Sequence, residues 1–126
     1  MIEAHDPRDD SLFFQIGEVA ERVGLSLRTI RYYEEIGLVV PSGRTEGGFR
    51  LYRVDDIKRL ELVKVLKPTG MALEHLVELL AIDSMEAPSA VDLRRLNDLV
   101  AHTQAKIAKL RLKLDIATDA LDALGP

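Results

Sequence analysis

Apolar residues recur along this chain at more than one period, and each change of period marks a new part. Ile16, Val19, Ala20 and Val23 stand at i, i+3, i+4 and i+7, the spacing that lines one face of a helix. Gly24 suits the turn that ends it, because glycine takes positive φ at little cost. A second short helix is predicted between Gly24 and Gly37, from Leu25 onward, with Ser26 as its N-cap. Leu27, Ile30 and Tyr33 recur at spacing three and face a core, while Arg28, Thr29, Arg31 and Tyr32 fall on the other side. Two short amphipathic helices joined by a tight glycine-containing turn form a helix-turn-helix unit.

The period then shortens. Leu38-Val39-Val40 and Phe49-Arg50-Leu51-Tyr52-Arg53 flank the turn-rich run Pro41 to Gly48, which predicts a β-hairpin, or wing. Phe49, Leu51 and Arg53 alternate with Arg50 and Tyr52, so the two sets face opposite sides. A third helix is predicted from Asp55 to about Leu66, with Ile57, Leu60, Val63 and Leu66 inward and Asp55 and Asp56 at the N-terminal dipole. Pro68-Thr69-Gly70 breaks the chain. A fourth helix, about Leu73 to Ile82, turns Leu73, Leu76, Val77 and Leu80 inward, and Asp83 to Ser89 is the next break.

The last segment is the most regular. Leu93, Leu96, Val100, Thr103, Ile107, Leu110, Leu114, Ala117, Leu121 and Leu124 step by three and four throughout, a heptad seam. A helix from Ser89 to Leu124 is about 54 Å long at about 1.5 Å per residue. A domain of this size cannot cover such a stripe, so the simplest partner is a second copy of the chain. The small Thr103 and Ala117 allow close approach at that seam. The expected layout is an acidic arm over 1–12 without fixed structure, a DNA-binding domain over 13–83 and a coiled-coil dimerisation helix over 89–124.

Composition narrows the function. No run approaches the roughly 20 apolar residues of a membrane span, and the first residues lack the apolar core of a signal peptide, so no membrane partner and a cytoplasmic location are expected. The chain has no cysteine, which excludes disulfides and thiolate metal sites. No Gly-rich phosphate loop and no nucleophile–base set is present, so an enzyme is not expected. Net charge is −4, but between Arg22 and Lys67 ten Lys and Arg stand against six Asp and Glu. A basic centre between acidic ends fits a nucleic-acid footprint, because local charge decides it. Arg28 and Tyr32 are neighbours on one helical turn. Arginine, hydroxyl and tyrosine together offer donors to phosphate oxygens and forks to base edges. Arg44, Arg50 and Arg53 on the hairpin are placed for phosphates beside the groove.

From Phe14 to Leu80 the chain resembles the MerR family of transcription regulators. The resemblance rests on Ile-Gly-Glu-Val-Ala at 16–20, Arg-Thr-Ile-Arg-Tyr-Tyr-Glu at 28–34, Gly-Leu at 37–38 and Gly-Phe-Arg-Leu-Tyr at 48–52. Asp-Ile at 56–57 and Gly-Met-Ala-Leu-Glu at 70–74 continue it. It implies a mostly α fold, a winged helix-turn-helix followed by a long helix that pairs antiparallel with its mate. It also implies a homodimer on double-stranded DNA with two-fold symmetry, acting with RNA polymerase by bending and untwisting promoter spacer DNA. By position, Arg28 and Thr29 match base or adjacent phosphate contacts, and Arg31, Tyr32, Arg44, Arg50 and Tyr52 match positions near the backbone. Ser26 and Arg53 complete the candidate DNA-binding set.

Three departures follow from the resemblance. Arg53 and Ala72 stand where the family favours Ser or Thr, which predicts weak caps on the third and fourth helices. The sequence stops at Pro126 and carries neither the cysteines of the family's metal sensors nor a separate ligand domain. No cofactor is therefore expected. Competing readings are an effector-independent architectural DNA-binding protein, a sensor of an unidentified small organic ligand, and a coiled-coil adaptor without DNA. A metal sensor would use His102 and Asp98, four apart, with His75; His5 with Asp6, Asp9 and Asp10 reads instead as a solvated tail.

Overall fold

The computed structural model describes residues 12–125, so the acidic arm, Leu12 apart, lies outside the described residues. The chain divides into two compact units, one through Lys64 and one from Val65.

In the first unit, β1 (Phe14–Gln15) leads directly into α1 (Ile16–Val23), and α2 (Leu27–Glu35) follows after three residues. Gly24 takes φ 71°, and its N–H donates to the Ala20 carbonyl at 2.9 Å, which ends α1. A Cβ at this position would also lie 2.8 Å from the Lys64 ammonium, which donates to the Val23 carbonyl at 2.7 Å. Ser26 caps α2 as predicted, its hydroxyl oxygen accepting from the Thr29 N–H at 3.0 Å. Val19, Val23, Ile30 and Tyr33 are buried. Leu27 is not: it is 39% exposed. At 3.6 residues per turn, a row at spacing three drifts round the helix, so Leu27 stands about 120° from Tyr33.

The hairpin differs from the expectation. Its first arm is β2 (Gly43–Arg44), not Leu38 to Val40. It pairs antiparallel with β3 (Arg50–Tyr52), Gly43 opposite Leu51 and Arg44 opposite Arg50. The other edge of β3 takes β1, Phe14 opposite Tyr52 and Gln15 opposite Leu51, giving a three-stranded sheet in the order β1-β3-β2. Leu38 and Val39 are buried all the same. They are tied to the end of α2, the Leu38 N–H donating to the Tyr33 carbonyl at 2.8 Å, after Gly37 turns the chain at φ 83°. They plug the core from a connection, where a short apolar run looks like a strand.

α3 (Val54–Leu66) buries Ile57, Leu60 and Val63. Its start is held, although Arg53 precedes it. The Asp56 carboxylate reaches back one turn to accept the Arg53 N–H at 2.8 Å, and it also accepts the Ser42 hydroxyl at 2.6 Å. Asp56 is buried, so these bonds offset the desolvation of its charge.

In the second unit, a 3₁₀ turn at Lys67–Thr69 and Gly70 at φ 88° lead to α4 (Leu73–Asp83). Ala72 gives α4 no side-chain cap, as expected. Leu76, Leu79, Leu80 and Ile82 are buried on α4, whereas the predicted Leu73 and Val77 are half-buried. α5 (Ala90–Leu124) opens on a capping box in which the Ser89 hydroxyl accepts from the Asp92 N–H and the Asp92 carboxylate accepts from the Ser89 N–H. α4 and α5 pack together, and Arg95 grips Glu78 through two hydrogen bonds of 2.6 and 2.8 Å. The Lys106 ammonium donates to the Gly70 carbonyl at 2.9 Å.

This packing revises the seam. Thr103 is buried within the single chain, its hydroxyl donating back to the Leu99 carbonyl at 2.9 Å, and Leu99, absent from the heptad row, is buried beside it. Thr103 is therefore no longer available to a second copy. From Ala108 to Gly125 every residue is exposed.

Asp56→Ala removes both bonds and leaves the first turn of α3 without its acceptor. It should lower stability by about 1–3 kcal/mol in urea unfolding, while Asp55→Ala, on the exposed side of the same turn, should lower it far less.

Candidate nucleic-acid interface

The outer face of α2 presents Arg28, Arg31 and Tyr32, all exposed, with Thr29 half-buried beneath them. Arg28 and Arg31 have no hydrogen-bond or ion-pair partner among the described residues. Thr29 is oriented by its neighbour, its Oγ1 accepting from the Ser26 hydroxyl at 2.9 Å. The Tyr32 ring is 48% exposed and stands 6.1 Å, centroid to centroid, from the buried Tyr33, tilted by 46°. Ser26 serves the helix end first, so its hydroxyl is already committed on one side.

The wing arginines are placed differently. Glu34, in the last turn of α2, gathers them. Arg50 Nε lies 2.9 Å from Glu34 Oε1 and 2.7 Å from Oε2. Arg44 Nη2 stands 3.8 Å from Oε1, while its Nη1 donates to the Gly48 carbonyl at 3.2 Å. The Tyr52 hydroxyl donates to Oε2 at 2.9 Å. The hydrogen bond and charge of Glu34 raise the Arg50 pKa above the usual guanidinium value. Arg53 sits half-buried with its guanidinium 4.9 Å above the Phe13 ring.

Tyr52 requires a correction. The resemblance puts it near the DNA backbone, but its side chain is fully buried. The parity of the strand decides this: Tyr52 pairs with Phe14 and faces inward with it. Its hydroxyl works from inside, as a third donor that orients Glu34. Glu34 was the residue missed. Its signal was present, as an acid at the end of a basic, aromatic helix with arginines in the following hairpin, but only the fold shows that they meet.

Two further cations serve the scaffold. Arg22 lies 4.4 Å above the Phe14 ring and 3.8 Å from the Glu18 carboxylate, and Lys64 holds the end of α1. In the second unit a groove of about 320 Å³ is lined by His75, Arg95, Asp98, Leu99 and His102. These side chains do not converge as a metal site: among the described residues no group of three His, Cys, Asp or Glu could hold a metal ion. No helix among them is long and apolar enough to cross a membrane.

Comparison with known proteins places this geometry. A family profile described as "MerR HTH family regulatory protein" matches residues 14–82. The "Mercuric resistance operon regulatory protein" of Bacillus cereus is 34% identical over 103 residues, covering 81% of this chain and 73% of that protein. The "HTH-type transcriptional activator TipA" of Streptomyces coelicolor is 32% identical over 107 residues, covering 85% of this chain but 42% of its own length. Among solved structures, one titled as HiNmlR, "a MerR family regulator lacking the sensor domain, bound to promoter DNA", aligns with a TM-score of 0.67 and 29% identity over 88% of this chain and 89% of that one. The winged helix-turn-helix and the long C-terminal helix are thus features of the fold these regulators share.

Burial first, and the bond to Glu34 second, push the Tyr52 phenol well above its usual range. A group that holds its proton more tightly when folded stabilises the fold fully below its unfolded pKa, here about 10, and that stability is lost as pH rises through the folded value. Tyr52→Phe should be less stable at pH 7 by about 1.5–3 kcal/mol, the worth of a hydrogen bond to a charged group. In urea titrations its deficit should shrink as pH rises beyond about 10.

Proposed function

Since the chain belongs to the MerR family of helix-turn-helix regulatory proteins, we propose that it is a sequence-specific transcription regulator that binds a palindromic promoter site as a homodimer. Its relatives are transcription regulators. The observation that carries the reading is the pair of exposed arginines on α2, Arg28 and Arg31, without partners among the described residues, beside a wing whose Arg50 and Tyr52 are held by Glu34. In this reading Arg28 and Thr29 meet base edges or adjacent phosphates in the major groove. Arg31, Tyr32, Arg44, Arg50 and Arg53 meet the backbone, and Ser26 contributes at the helix N-terminus. Tyr52 acts only through Glu34. The DNA-binding domain spans 13–83 and the dimerisation helix 89–124.

Two copies meet through α5. With Thr103 taken by its own chain, the row spaced by seven is Leu93, Val100, Ile107, Leu114 and Leu121, with Ile107 half-buried and the other four exposed. Leu93, Val100, Leu114 and Leu121 are 46%, 39%, 66% and 69% exposed. The row is symmetric about Ile107, the middle of the 35-residue helix, which suits antiparallel pairing about a two-fold axis there. Leu110, Ala117 and Leu124 extend the apolar surface where α4 no longer covers it. A two-fold dimer reads two-fold DNA, and holding both half-sites at a fixed separation bends and untwists the spacer between them. RNA polymerase at the distorted promoter is the third partner. The likeness to a regulator titled as lacking its sensor domain favours action without an effector, the architectural alternative, over a sensor of a small organic ligand.

Binding to a promoter duplex should weaken steeply with added salt. Arg28→Ala should cost about 1–3 kcal/mol of specific binding, and Arg31→Ala should lower the salt slope by about one. Unchanged operator binding by Arg28→Ala sinks the role given to Arg28.

The chain has no cysteine, so single cysteines report the dimer directly. Ile107→Cys should join two copies on mild oxidation, whereas Leu93→Cys should join only to Leu121→Cys. A monomer at micromolar concentration, or self-joining at Leu121 alone, overturns this pairing.

A further inference from the structure

The arginines of the interface are held in two different ways. On α2, Arg28 and Arg31 are exposed and have no partner among the described residues. On the wing, Arg44 and Arg50 are both tied back to α2. Arg50 Nε meets both oxygens of Glu34, at 2.9 and 2.7 Å. Arg44 Nη2 stands 3.8 Å from Glu34 Oε1, the looser of the two contacts. Glu34 shows 16% of its side chain to solvent, against 34% for Arg50 and 53% for Arg44. The acid is thus the inner member of each pair, and the cations are the outer ones. From the core side, the Tyr52 hydroxyl donates to the same carboxylate at 2.9 Å. A surface that had only to attract DNA would leave these cations free, as α2 leaves its own.

We propose that Glu34 is a specificity-determining positioning residue, which withholds the wing cations from DNA of the wrong sequence. The proposal rests on the DNA-binding function above and deepens it. Phosphate contacts carry no sequence information by themselves. Every mobile cation on the binding face therefore strengthens binding to any duplex, through counterion release. Specificity is a difference of two affinities, and it grows when the wrong complex is made weaker. A guanidinium held at Nε by a carboxylate cannot follow a phosphate. Its remaining N–H donors serve only a phosphate that comes to them. That condition is met where α2 lies in its half-site and the wing lies along the backbone beside it. In any other register Arg44 reaches a phosphate only by leaving Glu34, which strips a largely buried carboxylate of compensating charge. Glu35, one residue on, is exposed and forms no ion pair with the wing arginines among the described residues. It carries the same charge without the grip.

The test uses duplexes that the wild-type protein selects from a randomised library, with scrambled duplexes of equal length beside them. Affinity for each is measured by fluorescence anisotropy over a range of salt. Glu34→Gln keeps an acceptor for Tyr52 and removes the charge that holds Arg44. Its binding to scrambled duplex should tighten about five- to tenfold at about 0.1 M salt, and the salt slope should steepen by about one, as one added phosphate contact requires. Its binding to the selected duplex should tighten less, so the ratio of the two affinities should fall severalfold. Glu35→Gln should tighten both alike and leave the ratio unchanged. In an Arg44→Ala background, Glu34→Gln should no longer tighten scrambled binding. Weaker binding of Glu34→Gln to both duplexes overturns the proposal, because Glu34 would then be a structural support alone. An unchanged ratio in Glu34→Gln overturns it as well, as does an equal fall of the ratio in Glu35→Gln. If Glu34→Gln does not unfold cooperatively in urea, Glu34→Asp, shorter by one methylene, replaces it. That variant should move the ratio the same way by less, and no movement sinks the proposal. If the wild type selects no duplex, the regulator reading falls; if it selects one and the ratio holds, only this inference falls.

Discussion

One carboxylate sets the geometry on which the rest of the interface depends. Glu34 sits at the end of α2 and takes donors from two points on the sheet, Arg50 Nε and the Tyr52 hydroxyl, with Arg44 close by. Helix and hairpin are joined by no continuous secondary structure, and a two-residue strand pairing is a weak hinge point. Charge-assisted bonds to a largely buried carboxylate are strong and directional, and removing a donor would leave that charge less fully compensated. The carboxylate thus ties the wing to the helix beside the apolar burial of Tyr52.

The same arrangement sorts the basic residues into two groups. Arg22 and Lys64 answer to a ring and a helix-end carbonyl, while Arg28 and Arg31 face outward without such partners among the described residues. A formal net charge of −4 thus coexists with a face suited to a polyanion, because what matters is which cations the fold leaves unanswered.

In the second unit, α5 performs two tasks along one length. Its first half lends Leu99 and Thr103 to α4 and is anchored by Arg95 on Glu78, a contact that lowers the Glu78 pKa below the usual carboxylate value. Both partners of that pair are well exposed, so its contribution to stability is small. The second half has no cover of its own. A single apolar period along the sequence therefore hides a division, part intramolecular and part open.

What the sequence determined by itself was local. The helix from Ile16 to Val23, the Ser26 cap, the break at Pro68 to Gly70 and the long final helix all follow from period, cap and turn chemistry within a few residues of each other. The outward Arg28, Arg31 and Tyr32 follow from the same helical period. The tertiary structure alone decided the non-local matters. β1 is two residues long, too short to show alternation, and is a strand only because β3 lies beside it. Leu38 and Val39 fill the core from a connection, Tyr52 turns inward because Phe14 is its cross-strand partner, and Asp56 replaces the missing cap at Arg53. Glu34 gained its role from residues 16 and 18 positions away. Spacing along a chain says which side chains share a face of one element, but which element then covers that face is settled by packing and by charges meeting across the fold.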